Sequence, residues 1–357
     1  MKKVAVGLSG GIDSGTTALL LKEQGYQVFG VTMWLFDHQK EELEAAKTVA
    51  SSLGIKHYIL DYRDDFKNKI IKNFIKLYEQ GVTPNPCILC NKHFKYGKLI
   101  DDCTSLGADF FATGHYVKCI TDANSHEFKL LRAENSKKDQ SYNLYHLNQA
   151  TLRKLIFPLG TIECKEQVRA HFSKLNIQLS QKKDSLGICF IDHKNHRKFL
   201  SEINSTAMKS GYFIDTLGNR LGEHCGTANF TIGQKRRLGM GYDGQYLNGR
   251  YVVTKLNPDT NEVTLGEEKE LLYDHINCTD FNIISPRLKE WLLMPQNVLP
   301  VEVIVSQWSA KYDGMLQLQQ EGHHAIIRFK TPVRAPARGQ ALVCYKDEVL
   351  VGGGIIS

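Results

Sequence analysis

Lys3-Val4-Ala5-Val6-Gly7-Leu8-Ser9-Gly10-Gly11-Ile12-Asp13-Ser14 decides how the front of this chain folds. Residues 4–6 read as a buried strand and 16–24 as a helix, so the glycines between them make a strand-to-helix turn. Such a turn leaves backbone N–H groups unpaired and converging, with the positive end of the helix behind them. It is a ready site for a phosphate-type anion. Gly10 and Gly11 let the backbone approach that anion with no Cβ in the way. Ser9 and Ser14 add hydroxyl donors, and Asp13 can hold a metal ion bridging phosphate oxygens. The lysine of a Walker A loop is absent.

Outward from the turn, apolar runs at 28–32, 57–60 and 110–113 alternate with helical stretches. Leu43, Ala46, Ala50 and Leu53 share one helical face, as do Phe66, Ile70, Phe74 and Leu77 before the stop at Gly81. The alternation predicts an α/β fold with a doubly wound parallel sheet and ligands at the carboxyl ends of its strands. The opening loop, Thr32-Met33 and Gly114-His115 fall at such ends. From Gly211 the texture changes to short strand-like runs at 211–215, 250–256, 262–265, 301–307, 325–330, 341–345 and 349–356. Residues 252–265 read as a hairpin. The expected division is a catalytic domain over 1–203, a small β-rich domain over 204–276 and a C-terminal β-barrel over 277–357. The last break is placed within 272–284, ahead of a linker over 286–300.

The chain has 357 residues, 42% hydrophobic and 23% charged, as in an ordinary soluble protein. No apolar run reaches membrane-spanning length, and Met1-Lys2-Lys3 leads into a strand rather than a signal peptide. A cytoplasmic protein without a membrane partner is expected. Nine scattered cysteines do not suit a secreted disulfide framework, so reduced thiols are the default. A net charge of +7 tolerates a polyanionic partner without requiring one. Composition alone does not separate an RNA enzyme from a small-molecule synthetase.

Two cysteine segments stand out. In Thr83-Pro84-Asn85-Pro86-Cys87-Ile88-Leu89-Cys90-Asn91-Lys92 the prolines fix an extended approach, and Asn91 is suited to cap a following helix. That places Cys90 at a helix N-terminus beside Lys92 and His93, where dipole and charge favour thiolate. In Lys182-Lys183-Asp184-Ser185-Leu186-Gly187-Ile188-Cys189-Phe190-Ile191, Cys189 sits in an apolar run behind a cationic loop.

Ser-Gly-Gly-x-Asp-Ser after a strand resembles the pyrophosphate loop of ATP pyrophosphatases, which split ATP into AMP and pyrophosphate and activate a substrate oxygen with the AMP. The chain then carries, in one order, the Thr83–Lys92 segment, Ala112-Thr113-Gly114-His115-Tyr116, Lys138-Asp139-Gln140-Ser141-Tyr142, Gly187–Ile191 and Gly352-Gly353-Gly354-Ile355-Ile356. Together these resemble the tRNA-specific 2-thiouridylases over nearly the whole length.

That resemblance implies a transferase that replaces O2 of the wobble uridine, U34, in a tRNA anticodon loop with sulfur. ATP would bind through Gly7–Ser14, the Met33 backbone and Gly114, with Mg²⁺ shielding the phosphates, and AMP would be attached to the uracil oxygen. Cys189 would carry a persulfide from a sulfur donor, a cysteine desulfurase or a sulfur-relay protein. Cys90 would release the sulfur and leave a Cys90–Cys189 disulfide. Asn85, Pro86, Cys87 and His115 match positions beside the target base. Lys138, Asp139 and Gln140 match tRNA contacts, as do Lys311, Tyr312 and Gln340 in the barrel.

One position departs from the family pattern. Cys87 stands where an Asp is usual, which leaves the proton acceptor open among water, His115 and a Cys87 thiolate. The change also creates Cys87-x-x-Cys90, and with Cys189 three thiolates could hold a [4Fe–4S] cluster with one open iron. A basic stretch at Gly233–Gly241, with Lys235, Arg236 and Arg237, suits an RNA phosphate track. Lys182, Lys183, Arg334 and Arg338 extend it, and Trp308 and Tyr312 are candidates for stacking on bases. Two other functions share the loop: an ATP-pyrophosphatase-type amidating ligase on a small molecule, and a non-catalytic tRNA-binding protein.

Overall fold

The computed structural model describes residues 1–175, 187–191, 195–306, 309–319, 322–334 and 337–357. Strand β1 (Lys3–Gly7) leads through the opening loop into helix α1 (Ile12–Glu23), which starts four residues earlier than its apolar pattern suggests. β2 (Gln27–Trp34), α2 (Lys40–Leu53) and β3 (His57–Asp61) follow, then a helix over 63–79 and another over 86–105. β4 (Phe110–Ala112) completes the expected strands. β5 (Lys118–Thr121) and β6 (Phe128–Leu131) form a hairpin outside the sheet, and the two-residue β7 (Leu155–Ile156) rejoins it.

The sheet order is β3-β2-β1-β4-β7 and every pairing is parallel. Val4, Ala5, Val6 and Val31 are fully buried, as a sheet covered on both faces requires. The chain leaves β1 for β2 on one side and returns to β4 on the other. The crevice at this switch of direction is where such sheets hold ligands. The loop after β1 and Gly114-His115 after β4 border it.

β8 (Gly211–Ile214), β9 (Arg220–His224), β10 (Val252–Asn257) and β11 (Glu262–Gly266) form a second sheet, ordered β10-β11-β8-β9. The hairpin read at 252–265 is present, with Asn257 opposite Glu262. The third sheet is the C-terminal barrel: β12 (Leu272–Ile283), β13 (Leu299–Ile304), β14 (Lys311–Leu318), β15 (Ala325–Arg334), β16 (Ala341–Lys346) and β17 (Val349–Ile356). β12 pairs with both β15 and β17, closing six strands around Cys278, Val303, Leu316, Ile327 and Leu342. β17 also pairs with β6, so the hairpin of the first domain lies against the barrel wall.

The break expected within 272–284 is instead β12, a strand of 12 residues. Its alternation is hidden by a register shift between Thr279 and Asn282, where Asp280 takes a positive φ of 48°. The stretch read as a linker over 286–300 holds a short helix, Pro286–Leu292, capped by the Ser285 hydroxyl accepting from Leu288 N–H. No helix among the described residues is long and apolar enough to cross a membrane.

Candidate active site

Gly10 takes a φ of +70°, and a Cβ there would lie 2.5 Å from the Ala45 Cβ on α2. Only glycine fits both demands. The Ser9 N–H donates to the Ser14 hydroxyl at 3.2 Å, which in turn donates to the Gly11 carbonyl at 3.1 Å. The N–H groups of Gly10 and Gly11 find no backbone acceptor among the described residues. The turn therefore keeps its donors for a ligand. Gly114 closes the crevice from β4: a Cβ on it would sit 2.9 Å from the Ser14 nitrogen. Met33 lies near the end of β2, and its carbonyl accepts from the Gln39 side chain at 3.0 Å.

Asp13 is not vacant. Lys165 donates to both its oxygens, at 2.7 and 2.8 Å, and the Tyr116 hydroxyl donates to one at 2.7 Å. The Mg²⁺ role expected of Asp13 does not fit this donor set, because an ammonium already fills the place of the cation. Lys165 begins the helix Lys165–Ser173, and its charge at the loop is what the missing Walker lysine would have supplied. No local motif announces it, since Lys165 reaches Asp13 only through the tertiary fold.

The helix over 86–105 starts at Pro86 with Asn85 at its N-cap position, so Cys87 lies in the first turn and Cys90 in the second. Asn91 is not the cap. It is buried, and its side-chain amide donates to the Asn143 carbonyl at 3.3 Å. Burial pushes the Cys87 thiol up and raises Cys90 to about 11, against a smaller downward pull from Lys95. Expectations of a thiolate poised by dipole and charge are not met in this state.

Cys189 reaches the same place from the other direction. Its thiol is pushed up to about 12 by burial and, next, by the nearby Cys90 and Cys87 sulfurs. Phe190 anchors the segment, packing edge-on against Phe66 at 5.7 Å and Phe74 at 5.4 Å. Both Cys87 and Cys189 retain surface exposed to solvent, and all nine cysteines are unbridged. Three thiols thus share one recess that opens outward. Among the described residues no group of three or more His, Cys, Asp or Glu side chains is arranged to hold a metal ion, so the iron–sulfur reading gains no built site.

Lys95 is the cation that acts on all three thiols and on His115 and His146. Residues Asn91–Lys98 form a π-helical stretch. With i→i+5 bonding, position i+5 returns to about 50° from i, whereas in an α-helix it lies about 140° away. The π stretch therefore swings Lys95 toward the face of Cys90. Sequence periodicity at 3.6 residues conceals this. The sequence gives no sign of His146: both its ring nitrogens are buried without a partner among the described residues, and burial lowers its pKa to about 3.

His115 Nδ1 lies 2.8 Å from both the Tyr96 and Thr113 hydroxyls, and burial holds its pKa well below normal. It is a neutral imidazole and a weak base. Asp139 accepts from the Ala133 N–H at 2.9 Å and the Ser141 hydroxyl at 2.7 Å, and Gln140 accepts from the Tyr116 N–H at 3.1 Å. Both side chains are engaged within the protein, and Lys138 is half-buried next to them in the chain. Lys311 pairs with Glu302 at 3.2 Å, and Tyr312 packs beside Phe329. Gln340 lies at the same rim of the barrel, since Ile304 pairs with both Lys311 and Val343. In the basic stretch Lys235 and Arg334 both pair with Glu268, while Arg236 and Arg237 are exposed. Lys182, Lys183 and Trp308 lie outside the described residues.

A phosphate loop at a sheet switch point and a separate cluster of three thiols in one chain define a nucleotide-dependent enzyme of the HUP class with sulfur chemistry. Family models match residues 2–193 (tRNA methyl transferase HUP domain), 197–267 (tRNA methyl transferase PRC-barrel domain) and 273–356 (aminomethyltransferase beta-barrel domain). The tRNA-specific 2-thiouridylase MnmA of Clostridium perfringens is 39% identical over 99% of this chain and 98% of its own. That of Acetivibrio thermocellus is 36% identical over 99% of both. The chain belongs to the tRNA-specific 2-thiouridylase family. A 4-thiouridine synthetase solved with RNA and bound ATP is a far more distant likeness, at 18% identity, 57% and 50% coverage and a TM-score of 0.36.

Proposed function

We propose that this chain uses ATP to convert U34 of tRNA to 2-thiouridine, releasing AMP and pyrophosphate. The observation that carries the reading is the recess in which Cys189 meets Cys87 and Cys90.

ATP would lie with its phosphates on the Gly7–Ser14 turn, where the N–H groups of Gly10 and Gly11 and the Lys165 ammonium stabilise the charge that develops as pyrophosphate leaves. The uracil O2 takes the AMP and becomes a good leaving group. Cys189 carries a persulfide received from a protein sulfur donor. The Cys90 thiolate attacks the inner sulfur; the S–S bond breaks and hydrosulfide departs with the bonding electrons. Hydrosulfide adds to C2, AMP leaves, and a Cys90–Cys189 disulfide remains for an external reductant. Lys95 favours the Cys90 thiolate, and Asn85, Pro86, Cys87 and His115 border the base. Residues 1–203 supply this chemistry, while the central sheet β8–β11 and the barrel β12–β17 hold the RNA through Arg236, Arg237, Lys311 and Tyr312. The cytoplasm is the expected place of work.

The test is tRNA thiolation with ATP and a persulfide donor, with pyrophosphate release measured in parallel. Wild type should give both products; Cys189→Ala should lose thiolation by at least a hundredfold, roughly the scale of losing an essential nucleophile, and keep pyrophosphate release. Full thiolation by Cys189→Ala would refute the assignment and favour a different sulfur carrier, whereas a wild type that thiolates no tRNA would favour the amidating ligase.

A further inference from the structure

The segment 79–83, just ahead of the thiol-bearing helix, is gripped by parts of the chain that lie far away in sequence. Glu79 accepts from the Ser205 hydroxyl at 3.0 Å and the Thr206 N–H at 3.2 Å. Gly81, at φ +69°, lies against Pro258 and Leu256 of the central sheet, where a Cβ would come within 3.3 and 3.4 Å. Both backbone groups of Thr83 are then taken by the barrel. Its N–H donates to the Arg338 carbonyl at 3.2 Å, and its carbonyl accepts from the Gln340 side-chain amide at 3.0 Å. Between these two bonds Gly339, at φ +85°, comes so close that a Cβ would stand 2.2 Å from Val82 and 2.9 Å from the Thr83 carbonyl. Further along the helix, Lys92 reaches Asp280 of β12 at 2.5 Å.

Two adjacent hydrogen bonds around a glycine-only approach make a clamp, not a passing contact. Pro84 and Pro86 follow at once and are buried, so little slack separates Thr83 from the first turn of the helix. We infer that the barrel rim Arg338–Gly339–Gln340 is a positioning element for the thiol helix, setting where Cys87 and Cys90 sit by holding the backbone of Thr83. Gln340 thereby has a task inside the protein that is separate from any contact with RNA. The inference deepens the proposed sulfur transfer and rests on Cys90 being a reacting thiol.

The experiment uses the full-length protein without tRNA or ATP. Iodoacetamide labelling of Cys90 is followed by fragmentation of the peptide that carries it, in wild type, Gln340→Met and Gly339→Ala. Gln340→Met keeps the side-chain length and removes the donor; Gly339→Ala forces the rim away from Val82. Cys90 labelling should rise in both, by roughly two- to tenfold in Gln340→Met, the factor that the net worth of one hydrogen bond allows. In thiolation assays kcat should fall in both, with KM for tRNA within about twofold of wild type. Unchanged Cys90 labelling in both variants would overturn the inference, as would a loss confined to KM, which is the signature of a plain RNA contact. Shifted labelling in a protein whose wild type thiolates no tRNA would leave the clamp standing and remove the proposed function instead.

Discussion

The phosphate loop and the thiol helix are both short, glycine- or proline-marked turns into a helix, yet they are held in opposite ways. The loop is built from its own neighbourhood. β1 pairs with β2 and β4, Ser9 and Ser14 bond within the loop, and Gly10 fits against α2. The thiol helix is held from outside, by Ser205, Pro258, Gln340 and Asp280. A site for a ligand common to many enzymes can be written locally. A site that must bring together two thiols and an RNA is assembled from three parts of the chain.

Breaking the local half should cost most. Gly10→Ala places a Cβ against Ala45 in a left-handed conformation, and should destabilise the first domain by about 1–3 kcal/mol while abolishing ATP turnover. Thermal unfolding with a pyrophosphate assay measures both. A variant with wild-type turnover would mean that the loop is less tightly dictated than its contacts imply.

The assembled half should respond through its electrostatics. Lys95→Met removes the cation that opposes burial at Cys90, so the midpoint of Cys90 labelling, already pushed up by burial, should move to still higher pH. Labelling at pH 8 should then fall several-fold, on the order of half a pKa unit, and Lys95→Arg should restore most of it. An identical pH profile in Lys95→Met would show that the π stretch does not bring this charge to bear.

His146 gives the smallest effect. Its folded pKa of about 3 lies below the ordinary 6.5, so between those values the unfolded chain binds the extra proton and acid weakens the fold. His146→Phe should remove that part of the acid sensitivity between pH 6.5 and 3 and leave the melting temperature at pH 8 unchanged or slightly raised, because two unpaired nitrogens are lost. A melting temperature lowered by many degrees at pH 8 would show that the ring holds a partner in solution.

The same contrast governs what could be read from the residues alone. The loop, β1 to β4 and the hairpin at 252–265 follow from local pattern and were legible. The association of Cys90 with Cys189 came from the family resemblance and not from local pattern, which alone reads Cys189 as part of an apolar run. The start of the thiol helix was misplaced because Asn91 looked like a cap, while the local geometry begins it at Pro86 and buries Asn91 against Asn143. Lys165 on Asp13, Gln340 on Thr83 and the unpartnered ring of His146 depend on chain segments meeting from a distance. β12 was read as a boundary because polar residues and the turn of φ at Asp280 interrupt its alternation.

The most direct test of sulfur transfer is a single turnover without reductant. Enzyme loaded with persulfide is mixed with tRNA and ATP, quenched in acid and mapped for cross-linked peptides. A Cys90–Cys189 disulfide should appear in step with 2-thiouridine, one for one. Thiolated tRNA formed while both cysteines are recovered as free thiols would contradict the account.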